Sequence, residues 1–308
     1  MAKTTQKSKP NINPFVTFFI FSLLFFIPFF ISSILTTDYL ERKNAVSLEE
    51  EAIHFEKVLN TNNLNSLYEK DSASFSSSSL PEDKVVVLGY HQVRNVEVSD
   101  GPKARLFITS PETFEKEIKL LSDEGYISIS VTEYINYLKN KKENPIPKKS
   151  VVITFDDGYL TQYTNAFPIL KKYGMKATLF LYMDCIDKYP ACMTSSQIEE
   201  MTALGITVAN HTLRHSFLTE QKEAVIKKEV LDNQNLLEKK FGKENVEKVL
   251  AYPYGSQNEK IKFIIQNLGY VGAVGISKGV EKDDSNIFNL HRYLMGNKTE
   301  LFEELFKS

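Results

Sequence analysis

Residues 151–158 read VVITFDDG, an apolar run rich in β-branched residues that ends on two adjacent carboxylates and a glycine. Such a run suits a strand buried on both faces, as in a parallel sheet. Strand and helix signals alternate on either side of it. Upstream lie VVVLGY (85–90), a helix over 111–124 with Phe114, Ile118 and Leu121 on its buried face, the strand YISISV (126–131) and a helix over 132–140. Downstream come a helix over 161–173 stopped by Gly174, the strand ATLFLYM (177–183), a helix over 196–204 stopped by Gly205, and ITVAN (206–210). A long helix over 219–241, VLAYP (249–253), a helix over 258–268, YVGAVG (270–275) and a last strand over 286–295 complete the pattern. Repeated βα units with right-handed crossovers predict an α/β fold, either an open doubly wound sheet or a closed (β/α) barrel. Polar motifs placed directly after strand ends suit a barrel, where active sites form at that rim.

The chain has 308 residues and a formal net charge of −2, so no strong field favours nucleic acid or an anionic lipid surface. The first 80 or so residues differ from the rest, and about 220 remain, enough for one large α/β domain or two small ones. Lys3, Lys7 and Lys9 precede a stretch without charge that lasts until Asp38. Within it, residues 15–35 read FVTFFIFSLLFFIPFFISSIL, with no polar face for a soluble helix. Roughly 20 such residues cross a hydrocarbon core, and Pro28 is tolerable there. The expected organisation is a cytoplasmic tail at 1–13, a transmembrane anchor at 14–37, a stalk and linker at 38–83, and a folded domain at 84–308. The flanking lysines place the N-terminus inside and the domain outside a single-pass cell membrane protein. A cleaved signal peptide is the rival and also exports the domain. Ser47 and Glu50 form a capping box for a short stalk helix, and the run SASFSSSS (72–79) reads as a flexible linker. Cys185 and Cys192 have no zinc-finger spacing; a local disulfide and two free thiols both remain open.

Four motifs carry chemistry. Asp156 and Asp157 end a buried strand, where like charges conflict unless one binds a metal and the other accepts a proton. Asp-Asp-Gly is also ordinary turn chemistry. His211 and His215, four positions apart after ITVAN, converge on one cation if the segment is turned. Two imidazoles and one carboxylate leave open positions, the mark of a catalytic metal site. In YPYG (252–255), Pro253 and Gly255 set a tight turn whose backbone N–H groups suit an oxyanion. Tyr90-His91 ends the apolar run at 85–90.

Together these residues resemble the polysaccharide deacetylase (NodB-homology) family, carbohydrate esterase family four, over roughly residues 85–295. The resemblance implies a distorted (β/α) barrel, commonly of seven strands, preceded here by the transmembrane helix. It implies removal of N-acetyl groups from an N-acetylated polysaccharide with a divalent metal, Zn2+ first, with Ni2+, Co2+ or Fe2+ as alternatives. By that resemblance Asp156 is the general base, Asp157, His211 and His215 are the metal ligands, and the Tyr254 backbone N–H completes an oxyanion hole. Where many members place an arginine before the YPYG-type motif, this chain has Ala251. Arg292 is the expected replacement and Arg214 its rival for orienting the base. Tyr90-His91-Gln92-Val93 matches a subgroup that takes its general acid from the first strand, which assigns His91, with His291 as rival. That subgroup acts on poly-β-1,6-N-acetylglucosamine, a biofilm exopolysaccharide at the cell surface. Peptidoglycan or chitooligosaccharides are the alternative substrates, and a non-catalytic carbohydrate-binding homologue is the alternative class.

Overall fold

The computed structural model describes residues 84–277, 279–281, 286–297 and 299–306. The expected anchor at 14–37 and the stalk and linker at 38–83 lie outside the described residues. Among the described residues no helix is long and apolar enough to cross a membrane.

The chain begins with β1 (Val86–Tyr90), β2 (Gln92–Val93), β3 (Ile108–Thr109), α1 (Pro111–Asp123), β4 (Ile127–Ile129), α2 (Val131–Lys139) and β5 (Ser150–Asp156). A π-helical turn (Gln162–Ala166) then runs into α3 (Phe167–Tyr173), followed by β6 (Thr178–Leu181), α4 (Ser195–Thr202) and β7 (Thr207–Asn210). The chain ends with α5 (Glu223–Phe241), β8 (Val246–Ala251), α6 (Glu259–Asn267), β9 (Gly272–Val274), β10 (Tyr293–Leu294) and α7 (Thr299–Phe306).

The main sheet has the order β10-β1-β5-β6-β7-β8-β9, and every pairing in it is parallel. One edge of β5 pairs with β1 along residues 151–155; the other is shared, β4 taking 150–152 and β6 taking 154–156. The sheet curls until its two edges meet along one C-terminal segment. Leu290 bridges Val274 beside β9, while Tyr293 and Leu294 pair with Leu88 and Gly89 of β1.

Strand periodicity decides what faces the inside of the curl. Val87, Val152, Phe180, Ala209, Val249, Val274 and Leu290 form one buried cluster drawn from successive staves, so the interior is packed rather than hollow. Their neighbours Val86, Leu88, Val151, Ile153, Leu179 and Val208 pack outward with residues of α1, α3, α4 and α7. The same alternation places Thr154 and Asp156 on the inner face above Val152.

Local chemistry sets the element ends, and it moves several of the expected ones. Ser130 and Glu133 form a capping box, so Val131 opens α2 and the strand expected over 126–131 shrinks to three residues. The helix expected over 219–241 begins at Glu223, after a separate 3₁₀ turn at Leu218–Glu220. The strand expected over 286–295 is only β10 plus the single bridge at Leu290, because Asn286 folds its side chain onto the Phe288 N–H in a turn. The two-stranded pairing of β2 with β3 is too short for any periodicity to reveal. Cys185 and Cys192 are joined in a disulfide, closing the loop between β6 and α4. That loop lies along the turn after β5, with Met193 N–H donating to Gly158 and Leu160 N–H to Ala191.

Candidate active site

Parallel strands end on one rim, and the polar motifs meet there. Asp156 is the last residue of β5 and is buried, an expensive position for a carboxylate without partners. Arg292, fully buried, supplies them. Its Nη1 and Nη2 donate to the two Asp156 oxygens at 2.6 and 2.7 Å, and its Nε donates to the Gly275 carbonyl at 3.0 Å. The guanidinium crosses the interior over the Phe180 ring, 5.6 Å from its centroid. Gly89 makes that path available, since a Cβ there would stand 3.1 Å from Arg292 Cδ. Burial pushes the Asp156 carboxyl up, but Arg292, then His211 and His91, outweigh it and hold the group below its ordinary range.

His91 follows β1, and its Nε2 lies 3.8 Å from Asp156 Oδ2. Its ring packs against Phe107, with centroids 4.8 Å apart. Gln162, in the π-helical turn, donates to the His91 carbonyl at 2.9 Å and to the Asp156 carbonyl at 2.5 Å, tying the two strand ends together. Burial pushes the His91 imidazole toward its neutral form, against the opposing pull of Asp156 and Asp157.

Asp157, His211 and His215 form a second cluster, with one donor atom from each lying within 4.8 Å of the others. Asp157 Oδ1 is 3.5 Å from His211 Nε2 and 3.3 Å from His215 Nε2. His211 Nδ1 donates to the Ala251 carbonyl at 2.8 Å, which fixes its tautomer and turns the bare Nε2 toward Asp157. Asp157 Oδ1 is buried yet accepts no hydrogen bond. An orphaned buried oxygen facing two imidazole nitrogens fits a divalent cation, and the oxygen and nitrogen donors suit Zn2+. Burial raises the Asp157 carboxyl, but His215, His211 and His91 outweigh it and hold it well down. Burial depresses His215 to about 4. On His211 the lowering by burial is overcome by Asp157 and Asp156, and its pKa is raised.

The backbone here is strained. Asp157, Thr212, His215 and Tyr254 all have left-handed φ, at 73°, 62°, 56° and 58°, although none is glycine. Each such residue costs on the order of 1–3 kcal/mol, and such strain gathers at functional sites. Tyr254 stacks on Phe217 at 3.6 Å between ring centroids, and its ring lies 4.4 Å from that of His215. YPYG thus sits beside the imidazole pair.

The structure separates the rivals by position. Arg214 is half exposed and pairs with Glu229 at 2.6 Å, away from Asp156. His291 Nδ1 pairs with Glu281 at 2.9 Å rather than facing the carboxylates. Gln162 and Phe107 were not singled out in the sequence. For Gln162 the available signal was its place five positions after Asp157; Phe107, 16 positions after His91, had none.

A curled parallel sheet with a carboxylate, a guanidinium and an Asp-His-His cluster at its C-terminal rim defines a NodB-type hydrolase. Comparison with known proteins agrees. The polysaccharide deacetylase family model matches residues 143–273, a range that holds Asp156, Asp157, His211, His215 and Tyr254 but neither His91 nor Arg292. The chain is 31% identical over 224 residues to Bacillus subtilis YxkH, an assigned polysaccharide deacetylase, covering 73% of this chain and 75% of that protein. It is 29% identical to the poly-β-1,6-N-acetyl-D-glucosamine N-deacetylase of Staphylococcus epidermidis, over 82% of this chain and 89% of that one. The Streptococcus pyogenes deacetylase PplD, solved in complex with acetate, superposes with a TM-score of 0.66 at 27% identity, over 74% of this chain and all of that one. The chain belongs to the polysaccharide deacetylase family, enzymes that hydrolyse amide bonds.

Proposed function

We propose that this protein removes N-acetyl groups from an extracellular amino-sugar polymer, with poly-β-1,6-N-acetylglucosamine as the first substrate. The observation that carries the reading is the Asp156 carboxylate, locked by Arg292 beside both His91 and the Asp157-His211-His215 cluster. The length over which the chain matches the staphylococcal deacetylase supports the choice of polymer.

Asp157, His211 and His215 would hold a divalent cation, Zn2+ first. Bound there, such a cation supplies positive charge for a developing oxyanion and makes a nearby water more acidic. Asp156 serves as the base. Its lowered pKa keeps it ionised at neutral pH, and the Arg292 fork fixes its orientation so that Oδ2 accepts the proton of the attacking water. The Tyr254 N–H, set by the left-handed turn of YPYG, shares the negative charge of the former acetyl oxygen. His91 donates the proton that the leaving amine needs, since an unprotonated amine leaves poorly. Its low pKa makes its conjugate acid a ready donor, and Asp156 at 3.8 Å is near enough to reload it.

Residues 14–37 are proposed to anchor the enzyme in the cell membrane with its domain outside, where such polymers lie. Membrane fractionation with protease protection tests this; a fully soluble mature chain that lacks the segment would mean cleavage instead. The activity test is acetate release from defined β-1,6 and β-1,4 N-acetylglucosamine oligomers by Zn2+-loaded protein. The expected result is faster release from the β-1,6 series. Preference for the β-1,4 series would move the substrate to peptidoglycan or chitooligosaccharides. Binding without release from any oligomer would make the protein a carbohydrate binder.

A further inference from the structure

Helix α5 buries three polar side chains, Glu229, Asn233 and Gln234, and buried polar groups without partners are costly. Glu229 and Asn233 find theirs on the strand ends and loops that lead into the site, while Gln234 bonds Asn210, Tyr270 and Glu238. Asn233 Oδ1 accepts the Met183 N–H at 2.9 Å, while its Nδ2 donates to the Leu181 carbonyl at 2.8 Å and to Asn210 Oδ1 at 3.0 Å. Leu181 and Asn210 are the last paired residues of β6 and β7. Beyond them one segment runs toward the disulfide loop and the other into His211, still joined by the Asp184 N–H donating to the Leu213 carbonyl at 3.1 Å. Asn233 adds side-chain bonds to both segments at the point where the regular pairing of β6 and β7 ends.

Asn210 passes this restraint onward. Its Oδ1 accepts the N–H of Thr212 at 2.8 Å, holding that residue in its left-handed turn. Its Nδ2 donates to Tyr270 Oη at 2.6 Å and to the Val230 carbonyl at 2.9 Å. One turn before Asn233, Glu229 accepts the Arg214 N–H at 2.9 Å. The backbone between His211 and His215 is therefore tied at two alternate peptides to side chains outside the segment, one of them on α5.

We propose that Asn233, acting through Asn210, is a positioning residue that sets the His211–His215 turn for metal binding. This rests on the reading of Asp157, His211 and His215 as metal ligands. The strained φ values at Thr212 and His215 show why a clamp is needed: an unrestrained turn would relax and carry the two Nε2 atoms away from Asp157. Outer partners that orient metal ligands typically govern affinity by 10–100-fold.

The test is Zn2+ affinity, measured by competition with a chromophoric chelator on the full chain purified in detergent and stripped of metal. Asn233→Leu should weaken Zn2+ binding roughly tenfold or more. Tyr270→Phe, which keeps the ring and loses the hydroxyl that accepts from Asn210 and donates to Gln234, should weaken it by about threefold. Leu237→Ala, equally buried on the same helix but with no hydrogen bond to the loop, should lower the thermal midpoint and leave affinity within about twofold. The clamp is overturned if Asn233→Leu binds like the wild type, or if Leu237→Ala weakens binding equally. Should Asn233→Leu fail to fold, unchanged affinity in Tyr270→Phe overturns it instead. Wild-type protein that binds no Zn2+ would overturn the metal reading itself, and the clamp with it.

Discussion

Replacing Arg292 with methionine removes the fork that holds Asp156 and leaves a side chain of similar length in the interior. The structure sets the size of the effect. Two charge-assisted hydrogen bonds, at 2.6 and 2.7 Å, and the bond to Gly275 are lost around a buried carboxylate. Breaking one partner out of a buried pair costs about 3–5 kcal/mol, because the remaining charge is uncompensated. The loss depends on pH in a definite direction. Without Arg292, burial dominates and raises the Asp156 pKa above its unfolded value, so the folded variant retains a proton that the unfolded chain releases. Its stability then rises as pH falls, and the gap from wild type narrows toward acid. Urea unfolding of metal-free protein at about pH 8 and pH 5 reads this directly. Turnover should fall roughly 100-fold, equivalent to about 2.7 kcal/mol of transition-state stabilisation, because the base is no longer oriented. Arg292→Lys keeps the charge but not the fork and should lie between the two. An Arg292→Met variant with wild-type stability at pH 8 and wild-type acetate release would refute the reasoning.

Glu117, beneath Tyr90, offers an independent pH test: burial raises its pKa from 4.5 to about 8, and Tyr90 donates to it at 2.8 Å. The folded state holds this proton across the window from 4.5 to 8 while the unfolded chain gives it up, so stability declines through that window as pH rises. Glu117→Gln should abolish a slope worth on the order of 5 kcal/mol, and parallel wild-type and variant curves in denaturant titrations across that range would count against it. His91→Ala should abolish acetate release while His291→Ala retains most of it; the reverse pattern would move the general acid to the C-terminal segment. Gly89→Ala, whose new methyl would press on Arg292 at 3.1 Å, should lower kcat at near-normal KM with the fold intact, and unchanged kcat would show that the guanidinium can give way.

The strands were legible because parallel strands covered on both faces read as apolar runs, and VVITF, ITVAN and VLAYP appear where β5, β7 and β8 form. The Asp157-His211-His215 cluster was legible too, since Asp157 and His211 stand at the ends of two of those runs and His215 follows His211 by four positions. The pairing of Asp156 with Arg292 was legible only through the family resemblance, which favoured Arg292 over Arg214. It spans 136 positions, and nothing local separates Arg292 from Arg214 until the fold buries one and leaves the other half exposed. The left-handed turns were hidden because Thr212 and Tyr254 rarely adopt that conformation, and Asp157 and His215 adopt it too seldom to mark it. Glu117 was visible in hindsight, three positions after Phe114 on the buried face of α1.

The segment joining the two edges of the sheet also carries Arg292. During synthesis it emerges after every other stave, so Asp156 waits for its counter-charge until the ring is being completed. A chain stopped short of residue 290 could pair most of its strands and still leave the Asp156 carboxylate without its guanidinium. Such contacts between distant parts of the chain form slowly. Closure of the sheet and the pairing of Asp156 with its counter-charge are thus a single event.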